Sequence, residues 1–529
     1  MDTAGLTGAR GLRQITSRGG LITYSIFSMT AYQASSASPL GIPLRRAAAI
    51  SVLASTAIVV AGVALSAPLP AIAAAWGGVA LAAWCGALLT ACSTLAGYCS
   101  LGLAQWKVGS WFLLWCGLTE GLATINWEPW RSGVTAQILP SSVVRAEWLT
   151  AVAVTAWAAA YCSNPGRTAV AAYARFMHSI AGQRSDTVRG PMVPWLLYAA
   201  GTGARLIGAI LAGRLGYAAN AVVTVHSASW YQQALSLASF ACPLAITVAG
   251  LRAFRERAVG ARATLTFLFA AEIAAAAVMG QKGQFVTAVI AVAIARASAG
   301  RGMPRGLILS AAIFFLLLVI PFTIAYRAEV RGGPADLTPR AAVAVAPAVA
   351  GAAANAVSAG TITESVGYLE QRLQEISGPA IVLQKTPSQV PYASLARIPE
   401  TLAADLVPRA LWPGKPILDP GYQFSQEYYG TPAALVTAAA ITPEADLYRY
   451  GGWVPMLAGM LALGWLMRAA DQSLNVRASP QAALLIVLLW PVLATPEGTF
   501  TGIMLALPSV TLTWLAVISV TFRRQRAPC

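Results

Sequence analysis

Apolar runs of about 20 residues, long enough to cross the hydrocarbon core of a bilayer as an α-helix, recur along this chain. Read in windows of about 19 residues, the pattern predicts helices near 47–66, 70–92, 106–125, 147–163, 193–213, 231–251, 263–280, 284–297, 306–326, 451–469, 481–495 and 499–521. The runs at 284–297 and 481–495 are short and are expected to be tilted or broken. Gly20 to Ala34 is interrupted by Ser, Thr, Tyr and Gln, so an interfacial helix is expected there and a cleaved signal peptide is not.

Basic residues orient the spans. Arg10, Arg13, Arg18, Arg45 and Arg46 precede the first. Arg167, Arg175, Arg184 and Arg189 follow the fourth, and Arg252, Arg255, Arg257 and Arg262 follow the sixth. Arg301 and Arg305 come after the eighth, Arg468 and Arg477 after the tenth, and Arg523, Arg524 and Arg526 after the last. Counting through the spans puts all six segments on one side, which by this rule is the cytoplasm. The expected fold is an all-α polytopic membrane protein. It has about 12 transmembrane helices, both termini in the cytoplasm and one large extracytoplasmic loop containing short helices. The resulting division is an N-terminal segment 1–46, spans over 47–326, the loop 327–450, spans over 451–521 and a basic tail 522–529.

Composition narrows the function classes. Hydrophobic residues make up 57% and charged residues 11% of 529, against roughly a quarter charged in soluble domains. The net charge of +16 sits in short segments beside apolar runs, so it reads as topology signal, and no nucleic-acid partner is expected. Six of the seven cysteines lie in or beside apolar runs and the seventh ends the chain. With only His178 and His226, no histidine-rich metal site can be assembled, and neither metal nor disulfide framework nor cofactor is expected.

The connection from Tyr326 to Tyr450 is long enough to have a function of its own. Ala341 to Gly360 is uncharged and reads as a re-entrant or surface segment. Thr361-Ile362-Thr363-Glu364 is a capping box, and Val366, Leu369, Leu373 and Ile376 follow at helical spacing. The amphipathic helix so predicted carries Glu370, Arg372 and Glu375 and is stopped by Ser377-Gly378-Pro379. A second short helix is expected near Ile398 to Leu406. Pro408-Arg409-Ala410-Leu411-Trp412-Pro413-Gly414-Lys415-Pro416 then sets an indole between two cations on a proline-stiffened backbone. Cations hold diphosphate oxygens, Arg in bidentate fashion, and an indole stacks on a sugar ring. A proline-rich structural turn would have the same composition.

These elements come in a telling order: Glu370-Gln371-Arg372, Thr386-Pro387, Val390-Pro391-Tyr392, the Pro408–Pro416 run, then Asp446-Leu447-Tyr448-Arg449-Tyr450-Gly451-Gly452. That order resembles the bacterial O-antigen polymerase (Wzy-type), or oligosaccharide repeat-unit polymerase, family. Gly280-Gln281-Lys282-Gly283 resembles that family's short G-x-R-G turn with Lys in place of Arg, and Tyr326-Arg327 matches its basic residue before the loop. The likeness covers roughly 280 to 465. It implies a glycosyltransferase of the cytoplasmic (inner) membrane that joins polyprenyl-diphosphate-linked repeat units into O-antigen, capsule or exopolysaccharide, without metal. It also admits a chain-length regulator and a flippase as protein partners beside the lipid bilayer. Carried onto this chain, it gives Arg327, Arg372, Arg409 and Lys415 as diphosphate ligands, with Lys282 as a further cation and Trp412 and Tyr448 as substrate contacts. Asp446, or else Glu444 or Glu370, is the expected base. An O-antigen ligase-type transferase and a multi-span transporter or flippase are the alternatives. Glu120, Arg205 and Glu272 fall inside predicted spans, where interhelical pairing explains them as well as function does.

Overall fold

Prolines, caps and glycines set where the apolar runs begin and end as helices. The computed structural model describes residues 70–125, 127, 133–163, 179, 184–211, 230–279, 282–302, 304–320, 322, 373–407, 412, 420–432 and 439–524. The run expected at 47–66, the 341–360 segment, most of the 361–376 helix, His178 and His226 lie outside them.

The helices are α1 Pro70–Ala96, α2 Val108–Cys116, α3 Pro140–Cys162, α4 Val193–Leu211, α5 Trp230–Ser239, α6 Ala241–Phe254, α7 Ala261–Met279, α8 Lys282–Ser298 and α9 Arg305–Phe314. Further along come α10 Ser377–Lys385, α11 Arg397–Leu406, α12 Pro420–Tyr429 and α13 Pro443–Tyr448. The chain closes with α14 Trp453–Ser473, α15 Pro480–Leu493 and α16 Phe500–Thr521. Ile72–Ala96, Pro140–Cys162, Ala234–Phe254, Trp453–Ser473 and Phe500–Thr521 are each long and apolar enough to cross a bilayer. Val454, Trp465, Leu512 and Val520 stand exposed on the last two of these. That is the surface a helix must offer to hydrocarbon.

Several boundaries differ from the hydropathy reading. α3 starts at Pro140, not near 147, because proline is favoured in the first turn of a helix and the polar residues Arg145 and Glu147 masked the onset. The 231–251 run passes through a turn at Phe240, where α5 gives way to α6 within the apolar stretch Ala234–Phe254. Ser377-Gly378-Pro379 opens α10, while the helix expected to end there lies almost wholly outside the described residues. The first turn needs no N–H from proline, so this tripeptide serves as a start. Gly451 and Gly452 hold φ of 153° and 79°. These values are open to glycine, and they end α13 so that α14 begins afresh at Trp453. The fold is also not purely helical: β1 Arg184–Val188 pairs antiparallel with β2 Phe522–Arg524.

α6 and α15 are the innermost helices. Pro480 to Trp490 of α15 is buried throughout, as is Ala241 to Leu251 of α6, and α6 packs against α4, α7, α8 and α15. A helix apolar all round has no solvent face and belongs in a core. α3 is the second hub, packed by α1, α10 and α14.

The basic segments gather at one end of the bundle. Arg189 Nε donates to Phe522 O at 3.1 Å, Arg255 reaches Asp186 at 3.3 Å and Arg477 O at 3.4 Å, and Arg301 lies over the Phe254 ring. At that end the Asp471 carboxylate of α14 accepts the N–H groups of Val108 (2.6 Å) and Gly109 (3.0 Å) and the Tyr161 hydroxyl (2.6 Å). Lys107 donates to the carbonyls of Asp471 and Leu474. Asp471 thus caps α2 from another helix, supplying the negative charge that a helix N-terminus favours. Nearby, Cys92 and Cys162 bring their sulfurs to 3.1 Å.

Candidate functional site

α13 is a short helix at the other end, buried along its whole length. Thr442 precedes it in extended conformation, Pro443 takes the first helical position, and Glu444 and Asp446 fall in the first turn. Proline and carboxylates there suit both the helix start and its dipole. Leu447 fills the space left by Gly459 of α14, where a Cβ would collide with both leucine methyls. Because α13 is clamped from both ends, its acidic and aromatic side chains point in fixed and different directions.

Glu444 points into the bundle. It accepts the Thr442 hydroxyl, and the Thr150 hydroxyl of α3 lies 3.5 Å away. Thr150 also donates at 2.8 Å to Glu120, which comes from a π-helical turn, Gly117–Gly121, that continues α2. Glycines place that turn. A Cβ on Gly121 would lie 2.8 Å from Ala82 N, and one on Gly78 would lie 2.6 Å from Gly121 O. The backbone of the turn can therefore press onto α1 and bring Glu120 to face Glu444 within hydrogen-bonding reach. Glu120 and Glu444 are 0% and 2% exposed, and among the described residues neither is ion-paired with an arginine or lysine. Burial pushes the Glu444 carboxyl above its ordinary value, and the surrounding hydroxyl bonds only partly offset this.

Asp446 points the other way. Its Oδ1 accepts Arg449 Nε at 2.9 Å, and its Oδ2 lies 3.5 Å from Thr501 N at the start of α16. Arg449 lies over the Tyr450 ring and reaches Glu427 of α12 at 4.0 Å. Burial still leaves the Asp446 carboxyl raised, although Arg449 and the α16 N–H groups pull it back. Asp446 is thus already committed to joining α13 to α16. Tyr448 turns toward Tyr392, with ring centroids 6.3 Å from Tyr392 and 5.9 Å from Trp453, and burial raises its phenol. These three aromatics cluster beside the start of α14.

The structure thus brings together Glu444, Asp446 and Tyr448 on one helix and separates their directions. Trp412 is half-exposed. Lys282 opens α8, with its side chain outside what is described. Arg327, Glu370, Arg372, Arg409 and Lys415 lie outside the described residues. The hydropathy reading left Thr150, Thr442 and Arg449 unmarked. Arg449 sits in the quoted Asp446–Gly452 element, so its i, i+3 spacing from Asp446 was available as a signal. Nothing in a single sequence pairs Thr150 with Glu444.

Helices of this length and apolarity, with apolar side chains outward, define a helical membrane protein. The chain belongs to the family described as Domain of unknown function (DUF8712), which it matches over residues 205–475, just over half its length. The matched stretch takes in α13 and begins after Glu120 and Thr150. No curated protein and no solved structure matches the chain.

Proposed function

We propose that this protein is a membrane glycosyltransferase that joins polyprenyl-diphosphate-linked oligosaccharide repeat units on the outer face of the cytoplasmic membrane. The observation that carries the reading is Glu444, a buried carboxylate faced by the Thr442 and Thr150 hydroxyls and the Glu120 carboxyl, with no arginine or lysine paired to it among the described residues. A base for a sugar hydroxyl needs such raised proton affinity and no competing cation. Asp446, tied to Arg449 and α16, is the positioning residue that holds α13 in place. In the reaction, the acceptor hydroxyl attacks the anomeric carbon of the donor. Its O–H bond breaks as the new C–O bond forms, Glu444 takes the proton, and the bond to the diphosphate breaks with the electron pair leaving on the diphosphate. Arg327, Arg372, Arg409 and Lys415 stabilise that anion, and Tyr392, Tyr448 and Trp412 supply faces for sugar rings.

The reading includes twelve spans with both termini in the cytoplasm. The meeting of segments 184–189, 252–257, 477–481 and 522–524 at one end supports it, since charge counting assigns them all to one side.

Deleting the gene and separating the surface glycan by length tests the activity. Loss of long chains with single repeat units still displayed is the expected result. Unchanged chain length after replacement of the gene by Arg409→Ala/Lys415→Ala, with the protein present in the membrane, would remove the assigned diphosphate site.

A further inference from the structure

We infer that Glu120 is a positioning residue for the base, sharing one proton with Glu444 beside the Thr150 hydroxyl that touches both; this rests on the assignment of Glu444 above. Two carboxyl groups in contact and shielded from water do not both ionise, because the repulsion of like charges and the loss of hydration act together. Here the contact is built by three separate elements. The π-helical turn carries Glu120, α13 carries Glu444, and α3 carries the hydroxyl that touches both. Wider helical turns of this kind recur at functional sites, where they redirect a side chain. The Gly78–Gly121 contact keeps this one seated.

A second observation points the same way. Glu120 Oε1 is fully buried and has no hydrogen-bond partner among the described residues, while Oε2 takes the Thr150 proton. An orphan carboxylate oxygen in this position is costly, and a proton held between Oε1 and Glu444 removes the cost. Among the described residues, the other titratable groups facing the pair are Cys85 of α1, Cys116 of α2 and Glu375 before α10, whose N–H donates to Thr119 O at 3.1 Å. None of them carries a positive charge.

The pair then sets the proton balance of the transfer. Before reaction it holds one proton. After the acceptor hydroxyl gives up its own, the pair holds two, one on each carboxyl, and one leaves before the next cycle. Glu120 never touches the sugar. It keeps Glu444 aimed and tunes the pH at which Glu444 is free to accept.

Infrared titration of the purified, reconstituted protein reads the shared proton directly, through the C=O stretch of a protonated carboxyl out of contact with water. The wild type is expected to retain a protonated-carboxyl band at neutral pH that both Glu120→Gln and Glu444→Gln reduce and Glu120→Asp keeps. A band unchanged in both glutamine variants overturns the inference. If the glutamine variants do not fold, Thr150→Val serves instead and should shift the same band; an unshifted band there counts against the pair. The second readout is the pH profile of chain elongation on a polyprenyl-diphosphate repeat unit. Glu120→Gln removes the acid that donates to ionised Glu444, so it should move the acid limb to higher pH, whereas a merely structural loss lowers the rate equally at every pH. A shared proton without any elongation by the wild type would refute the glycosyltransferase reading alone; elongation with an unchanged band would refute the pair alone.

Discussion

Asp471 accepts the backbone N–H of Val108 at 2.6 Å, so a helix near the start of the described chain is capped by a side chain near its end. Replacing it by alanine strands two N–H groups and the Tyr161 hydroxyl in a buried place. A buried charged acceptor and a helix cap together predict a loss of roughly 2–3 kcal/mol. Thermal unfolding in detergent should show Asp471→Ala well below wild type, with Asp471→Asn between them. A midpoint equal to wild type for the alanine variant would show that the cap contributes nothing.

The sulfurs of Cys92 and Cys162 tie α1 to α3 in a way chemistry can read. Copper-phenanthroline with dissolved oxygen takes two electrons and two protons from neighbouring thiols to make a disulfide. Treated membranes should lose both thiols to alkylation together, and Cys92→Ser should leave Cys162 alkylatable. Independent alkylation of the two after oxidation would place the helices further apart.

The raised proton affinity of Glu444 has a definite sign. Folding favours its protonated form, so its contribution to stability is complete below the ordinary value of 4.5. That contribution is lost as pH rises through the higher value of the folded protein. Wild-type protein should therefore lose stability on going from acid toward neutral pH more steeply than Glu444→Gln. Parallel stability curves for the two would mean that Glu444 is not a buried acid.

Asp446 and Glu444 lie two residues apart and should fail differently. Asp446→Asn breaks the pair with Arg449 and loosens α13 from α16, so it should lower thermal stability markedly and activity in proportion. Glu444→Gln keeps the shape and should abolish elongation, at least about a hundredfold, the usual contribution of a general base. Equal loss of activity with equal loss of stability in both would remove the distinction.

How far the chain could be read in advance follows from which interactions are local. Long apolar runs need no partner to be recognised, and α1, α7, α14 and α16 fall within a few residues of where hydropathy puts them. The Arg205–Glu272 contact at 2.6 Å is the interhelical pairing that opposite charges inside two spans imply. Glu120 obeys a different rule. Its partner is another carboxylate, brought close by glycine packing and a π-helical turn, and neither leaves a periodic trace. Ser377-Gly378-Pro379 reads in the sequence only as a stop, yet it also opens α10: the same residues that end one helix can begin another, and the sequence pattern alone does not show the second role.

Gly464 of α14 touches the Trp157 carbonyl of α3 so closely that no side chain could be added there. α3 is made early in synthesis and α14 only after about 290 further residues, counting from Cys162 to Trp453. The seam on α3 must therefore wait unfilled through most of the chain's synthesis, and it closes late. Completion of the bundle thus depends on a helix that arrives long after its partner, and a chain halted before Trp453 would leave that seam open.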